Sequence, residues 1–387
     1  MSQPHDRIPL TRPLTGAEEL AGVRRVLDSG WLTMGPEVAA FEREFATSVG
    51  APHACAISSG TAGLYLALRA AGVGPGDEVI TVSHTFIATS DAIRFCGALP
   101  VYVDIEAGTF NIRADQVKGA ITERTRAVLC VHQIGMPCDL GALLPLTREA
   151  GLPLIEDAAC ALGSEIQTGH AWEKIGQPHG DAAVFSFHPR KPITTGDGGM
   201  ITTRHAEWDR LFRLWRQHGM SVQAHDRHRS DKVVFESYIE PGFNFRMTDL
   251  QAAVGRAQLQ RLPEIVAQRR RLAERYTSLL ADLSAVALPE QPPWARSNWQ
   301  SYAVRLGPGL EQRRVMEQMH AAGIGVHRGV ICCHKEPAYP PGTWRPAADL
   351  AESERATNDC VMLPLFPGLT EPEQNRVVTV LRAVCGE

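Results

Sequence analysis

From about residue 50 to 205 the chain alternates between short apolar, β-prone runs and helix-like stretches. His53–Ser58 reads as a strand and Thr61–Ala71 as a helix, followed by a turn over Gly72–Gly76. Glu78–Val82 then reads as strand, Ile87–Phe95 as helix, Leu99–Val103 as strand and Arg113–Ile121 as helix. Arg126–Val131, Leu140–Ala150 and Pro153–Ile155 continue the pattern, and Ala182–Phe187 and Gly199–Thr202 add two strands. Strands apolar at nearly every position are buried on both faces. Alternation with helices therefore predicts an α/β fold, a mostly parallel sheet with helices on both sides.

After Thr248 the character changes. Asp249–Leu262 and Glu264–Leu283 read as two long helices broken at Pro263, since proline removes a backbone donor. A proline-rich stretch, Pro289–Pro293, leads to a smaller α/β segment. That segment has a strand at Gln300–Leu306, a helix at Leu310–Ala322 and a last helix at Glu371–Val384. The length of 387 residues suits two or three domains of roughly 150 residues each. The boundary is expected near residue 255, giving a large domain over 1–255 and a small C-terminal domain over 256–387.

Composition removes several functions. A net charge of -4 argues against a nucleic-acid binder. No run of 18 or more apolar residues exists, so no membrane partner is expected. The N-terminus carries no apolar signal segment, and a cytoplasmic location is the default expectation. The nine cysteines are scattered without a CxxC pair, so no metal site is expected. Only five of the 39 basic residues are lysine: Lys118, Lys174, Lys191, Lys232 and Lys335. Few residues can therefore supply a nucleophilic amine.

Three constellations can carry chemistry. Ser58-Ser59-Gly60-Thr61-Ala62-Gly63 lies between a strand and a helix, where free N–H groups hold phosphates. Read alone, it is more often an ordinary helix cap. Glu156-Asp157-Ala158-Ala159-Cys160 ends a buried strand, the place where open α/β sheets bind ligands. A carboxylate there either neutralises a cationic ring nitrogen or caps the next loop. Lys191 follows the strand Phe185-Ser186-Phe187 and precedes the glycine turn Gly196-Asp197-Gly198-Gly199. A partly desolvated lysine beside Arg190 and His188 can form a Schiff base, whereas most lysines are merely solvated. Together the three supply what pyridoxal phosphate needs: a phosphate cradle, an acid for the pyridine nitrogen and an amine.

The chain resembles the DegT/DnrJ/EryC1/StrS aminotransferases, pyridoxal-phosphate enzymes of fold type I, nearly end to end. The likeness rests on Ser29-Gly30-Trp31-Leu32-Thr33-Met34-Gly35-Pro36, Ser58-Ser59-Gly60-Thr61-Ala62, Thr85-Phe86-Ile87-Ala88-Thr89 and Ile155-Glu156-Asp157-Ala158-Ala159. It continues through Phe185-Ser186-Phe187-His188 with Lys191, Thr194-Thr195-Gly196 and Arg216-Gln217-His218-Gly219-Met220. Gly242-Phe243-Asn244-Phe245-Arg246-Met247-Thr248-Asp249 and Leu363-Pro364-Leu365-Phe366-Pro367-Gly368-Leu369 complete it.

The resemblance implies a fold type I large domain with a seven-stranded type of sheet and a smaller C-terminal α/β domain. It implies Lys191 as the catalytic Schiff-base lysine and Asp157 as partner of the pyridine nitrogen. Gly60, Thr61 and Ser186 become phosphate ligands, and Phe86 the aromatic stacked on the ring. Asn244 is expected to reach the phosphate of a neighbouring subunit, making the active unit a homodimer with shared sites. Cys160 stands where the family has Gln or His near the cofactor's 3-oxygen. Asp197 replaces the family's usual Glu. Val326–His334 also departs from the family's usual segment, on the side where substrate contacts arise. The implied reaction moves an amino group from an amino acid, with L-glutamate the expected donor, to a keto-sugar expected to be nucleotide-linked. Alternatives are a cyclitol or other cyclic ketone as acceptor, a sugar dehydratase of the same fold, and a non-enzymatic regulator. Dehydratase relatives carry histidine at the lysine position, so Lys191 speaks against that alternative.

Overall fold

The computed structural model describes residues 7–222 and 231–386. Two helices open the chain, α1 (Ala17–Ser29) and α2 (Pro36–Val49). The alternating region then gives β1 (His53–Ile57), α3 (Gly60–Ala70), β2 (Glu78–Val82), α4 (Ile87–Phe95), β3 (Leu99–Val103) and α5 (Ala114–Ala120). It continues with β4 (Thr125–Val131), α6 (Leu140–Glu149), β5 (Leu154–Asp157), a hairpin β6 (Glu165–Thr168) and β7 (Ala171–Lys174), then β8 (Ala182–Ser186), β9 (Gly199–Thr203) and α7 (Ala206–Trp215). The C-terminal part begins with α8 (Asp249–Leu279), β10 (Val286–Ala287), β11 (Ala295–Arg296), β12 (Tyr302–Leu306) and α9 (Gln312–Ala321). Then come β13 (His327–Arg328), β14 (Arg345–Pro346), α10 (Ala351–Asp359), β15 (Cys360–Leu363) and α11 (Glu371–Cys385).

The main sheet runs β1-β9-β8-β5-β4-β2-β3-β14. Every pairing is parallel except those of β9, which lies antiparallel to β1 and β8. β2, β4, β5 and β8 put apolar side chains into layers on both sides, as strands covered by helices must. The sheet has eight strands where seven were expected: Arg345–Pro346, from the C-terminal part, pairs with β3 and extends the edge. A second antiparallel sheet, β10-β12-β15-β13, carries its own core of Tyr302, Val304, Val361 and Leu363, joined by Ile8 and Tyr276.

Pro263 does not break the helix. α8 runs unbroken from Asp249 to Leu279 with Pro263 inside. A proline forfeits one backbone hydrogen bond, and here packing on both sides of it holds the helix. Ala252, Leu259 and Ile265 pack into the core against the main sheet, and Ala273 and Tyr276 into the second core. The proposed boundary near 255 therefore falls within this helix. At its start, Thr248 Oγ1 accepts the Gln251 N–H at 3.2 Å while Gln251 Oε1 accepts the Thr248 N–H at 3.0 Å, a capping box. The buried Asp249 carboxylate takes N–H groups from Gly35, Glu37 and Val38, so it caps α2 as well.

Behind the sheet, Glu42 of α2 meets Arg216 at 2.5 Å and Arg213 at 2.7 Å. Both guanidinium groups also donate to carbonyls of β1, at Ala56 and Ala54. Burial raises the proton affinity of the Glu42 carboxyl, but Arg216 and Arg213 more than reverse this and hold it below the usual carboxylate range.

Candidate active site

The parallel strands converge on one rim, where β5 ends in Asp157 between β4 and β8. Asp157 is only 6% exposed. Its Oδ2 accepts from Thr89 Oγ1 at 2.8 Å, and Thr89 in turn meets Thr85 Oγ1 at 2.8 Å. Its Oδ1 accepts the Ala159 N–H at 3.1 Å. Burial pushes the Asp157 carboxyl above the ordinary value, although Thr89, the Ala159 N–H and the nearby charge of Lys191 pull the other way. No cationic side chain of the described residues pairs with it directly.

The β1–α3 turn lies beside it. Ser59 caps α3, its Oγ accepting the Ala62 N–H at 3.1 Å. The Gly63 N–H goes to Ser59 O. Among the described residues nothing accepts the N–H groups of Gly60 and Thr61, the first donors of the helix. A Cβ on Gly60 would stand 3.1 Å from Ser186 Cβ, so glycine lets the turn close against the end of β8. Ser186 Oγ accepts the His188 N–H at 3.4 Å. Gly60, Thr61 and Ser186, expected to share one task, are thus brought together.

Lys191 sits in the turn after β8, its N–H bonded to His188 O at 2.8 Å. Its Nζ donates to Cys160 Sγ at 3.0 Å, and both residues are half-buried. Arg190, expected beside the amine, instead sends its guanidinium to Met362 Sδ at 3.9 Å. Phe86, the residue capping α4, leaves its ring 71% exposed at the rim. Such exposure is unusual for a phenylalanine and gives a flat apolar face open to a ligand. The Val326–His334 segment runs past it: Ile331 O accepts the Thr85 N–H at 3.1 Å, and His84 bridges to Cys332. His334 is occupied by Ser83 Oγ at 2.6 Å and Glu354 at 3.0 Å. Asn244 is exposed, bridging in its backbone to Gln217. The Ser58 N–H bonds to Phe245 O, which sets the Asn244 segment beside the cradle.

Two supporting residues escaped the sequence reading. Asn298 Nδ2 donates to the carbonyls of Cys160 and Leu162 at 2.8 and 2.9 Å. Gln300 Nε2 donates to Arg190 O at 2.9 Å. One short segment after β11 thus fixes both loops of the site. Thr89 lies in the Thr85–Thr89 segment, but no local pattern signals its hydrogen bond to Asp157, 68 positions away. Among the described residues no group of three or more His, Cys, Asp or Glu could hold a metal ion, and no helix is long and apolar enough to cross a membrane.

Residues 13–382 match the model of a protein family described as the DegT/DnrJ/EryC1/StrS aminotransferase family. Among solved structures, DesV of S. venezuelae is 34% identical, with 98% of this chain and 99% of that one covered at a TM-score of 0.87. DesI, crystallised in the presence of its TDP-sugar product, is 32% identical over 98% and 93% of the two chains at a TM-score of 0.86. Spr1654 from Streptococcus pneumoniae in its PLP form is 27% identical over 98% of each chain at a TM-score of 0.89.

Proposed function

This chain belongs to the DegT/DnrJ/EryC1/StrS aminotransferase family and is a pyridoxal-phosphate-dependent aminotransferase, and from that premise we propose that it transfers the amino group of L-glutamate to a nucleotide-linked keto-sugar. The likeness to DesI, a protein with a TDP-sugar product, supports the nucleotide link. The observation that carries the reading is the meeting of three groups on one rim. They are the buried Asp157 carboxylate, the spare N–H groups of Gly60 and Thr61, and the Lys191 amine.

These groups fit pyridoxal phosphate. Gly60, Thr61 and Ser186 would hold its phosphate, Phe86 would cover one ring face, Asp157 would face the ring nitrogen, and Lys191 would anchor it covalently. When bound, the cofactor supplies a carbonyl that takes up amino groups and a ring that draws electrons from the reacting carbon. Asp157 keeps a proton at the ring nitrogen, because a buried carboxylate favours a cation beside it. Thr89 holds that carboxylate in place through Oδ2. Lys191 Nζ would move the proton taken from the donor's Cα. Cys160 Sγ gives the amine a resting acceptor, and Asn298 holds the Cys160 backbone. We further propose a cytoplasmic homodimer in which Asn244 completes the partner subunit's phosphate site; the exposure of Asn244 supports this.

A screen tests the substrate. The enzyme is given several amino donors against TDP- and UDP-linked keto-sugars, free keto-sugars and cyclic ketones, and product masses are measured. Amination of a nucleotide-linked keto-sugar with L-glutamate as donor is the expected result. Amination of a cyclitol ketone alone would overturn it.

A further inference from the structure

Of the nine cysteines, seven are buried, and only Cys160 and Cys385 are partly exposed. Burial pushes the thiols of Cys55, Cys96, Cys332, Cys333 and Cys360 up, which keeps them protonated and unreactive. Cys130 and Cys138 have no exposed surface at all. Cys385 lies in the last turn of α11. Cys160 stands apart through its neighbour, because its Sγ accepts from Lys191 Nζ at 3.0 Å. Lysines elsewhere are engaged with oxygen: Lys118 and Lys335 face carboxylates, and Lys174 a carbonyl.

Both backbones of the pair are held from behind. Asn298 Nδ2 donates to the Cys160 carbonyl at 2.8 Å, and the Lys191 N–H bonds to His188 O at 2.8 Å. Gln300 Nε2 holds the carbonyl of the preceding Arg190 at 2.9 Å. Reacting atoms about 3–3.5 Å apart form a near-attack pair, and such a pair reacts far faster than the same groups free in solution. The flexible four-carbon stem of Lys191 lets Nζ close the remaining gap. Oxidants turn an accessible thiol into a sulfenic acid, which a second thiol or a backbone nitrogen then captures. Cys160 instead presents its sulfur to a primary amine.

We propose that Cys160 and Lys191 form a reversible sulfur–nitrogen bond when hydrogen peroxide reaches the cofactor-free enzyme, a modification that locks the lysine amine. The sulfur attacks one peroxide oxygen, the O–O bond breaks, and the thiol proton leaves with hydroxide as water. Sulfur has then lost two electrons, and the peroxide has gained them. The Nζ lone pair attacks the sulfenic sulfur, the S–O bond breaks, and hydroxide departs as water with a proton from the nitrogen. One thiol, one amine and one peroxide thus give one S–N bond and two waters. Two equivalents of an added thiol reverse the change, returning Cys160 and Lys191 and leaving a disulfide of the reductant. Bound cofactor protects the pair, because the Lys191 nitrogen is then engaged. The lock and the protection rest on Lys191 as the cofactor's anchor; the bond itself does not.

The test treats full-length apoprotein and holoenzyme with hydrogen peroxide, alkylates the remaining thiols and maps the peptides by mass without reductant. In the wild-type apoprotein the peptides carrying Cys160 and Lys191 should be joined, two hydrogens lighter than their sum. Dithiothreitol should separate them. Pyridoxal phosphate added to the oxidised apoprotein should fail to give its lysine-bound absorbance, and dithiothreitol should restore it. The holoenzyme should lose the joined peptide. Cys160→Ser apoprotein should form no bridge and should load after peroxide as it does before. In Lys191→Ala the capturing amine is gone, and Cys160 should run on to the sulfinic acid. Wild-type apoprotein that yields Cys160 as sulfinic acid or as a disulfide, with Lys191 unmodified, would overturn the bridge. Equal loss of loading in wild type and Cys160→Ser would do the same. A joined peptide beside undiminished loading would keep the bond and overturn the lock, and with it Lys191 as the anchor.

Discussion

Glu42 and Asp157 are both buried carboxylates near the main sheet, and they are treated oppositely. Glu42, behind β1, receives two guanidinium groups and the Ala56 N–H. Asp157, at the end of β5, receives one hydroxyl and one backbone N–H. Desolvation costs each of them several kcal/mol. In the first case the fold supplies the countercharge; in the second, on the proposed function, the ring nitrogen of the cofactor would. Where the chain supplies the countercharge, the pair holds the fold together; where it does not, the carboxylate lies at the rim of the proposed site.

The contrast breaks most sharply at Lys191. Lys191→Ala should lower turnover at least ~10,000-fold, the upper range for a general acid–base group, while the fold and its melting profile persist. Borohydride reduction of the holoenzyme and peptide mapping should find the cofactor on Lys191. A label on Lys118, Lys174, Lys232 or Lys335 would overturn the assignment. The open side also predicts that a second subunit finishes the site. Mixing Asn244→Asp with Lys191→Ala subunits should restore about one intact site per mixed dimer, since both lesions fall in the other. A monomer with full activity in sedimentation and assay would refute the shared site.

The two carboxylates should respond to substitution with opposite signs. Glu42→Gln leaves Arg216 without its anion and should cost about 3–5 kcal/mol in denaturant unfolding. Asp157→Asn removes an uncompensated charge, so the apoprotein should gain about 1 kcal/mol or more while cofactor affinity falls at least ~10-fold. Their pH dependences also oppose. The Glu42 carboxyl is depressed on folding, so its contribution is present above the ordinary carboxylate value and lost as pH falls through the folded one. The Asp157 carboxyl is raised, so the apoprotein is favoured while the group is protonated and loses that benefit as pH rises through the folded value. Unfolding of the apo variants between pH 3 and pH 7 reads both slopes; equal slopes would erase the distinction.

The sequence spoke clearly where one local pattern decides the outcome. β2, α4 and β3 have the expected limits because their runs end at turns or at a helix cap. Lys191 and the Gly60 turn were visible because each follows an apolar strand directly. α2 went unassigned although Val38, Phe41, Phe45 and Val49 carry a helical period. Pro263 signals a break locally, and only the packing on either side of it, which no local pattern shows, keeps the helix whole. Contacts across long separations had no local sign. Glu42 and Arg216 are 174 positions apart, and Asn298 reaches Cys160 across 138. The eighth strand, Arg345–Pro346, is too short to show any period at all.

The smallest expected effect lies at Cys160, where the open and closed regions meet. The residue was expected near the cofactor's 3-oxygen, and the structure adds that its Sγ accepts from Lys191 Nζ at 3.0 Å. Removing that acceptor in Cys160→Ala should move the pH midpoint of the cofactor absorbance in the loaded enzyme. The bond is worth about 0.5–1.5 kcal/mol, or up to roughly one pH unit in the midpoint of the cofactor absorbance. Occupancy should hold, because the phosphate cradle, Asp157 and the covalent link to Lys191 are untouched. Cys160→Ser, which keeps an acceptor, should return the midpoint toward the wild-type value. A small residue that only packs beneath the ring would behave differently: all three proteins would then give superimposable pH curves, and Cys160 would leave the site and join the core.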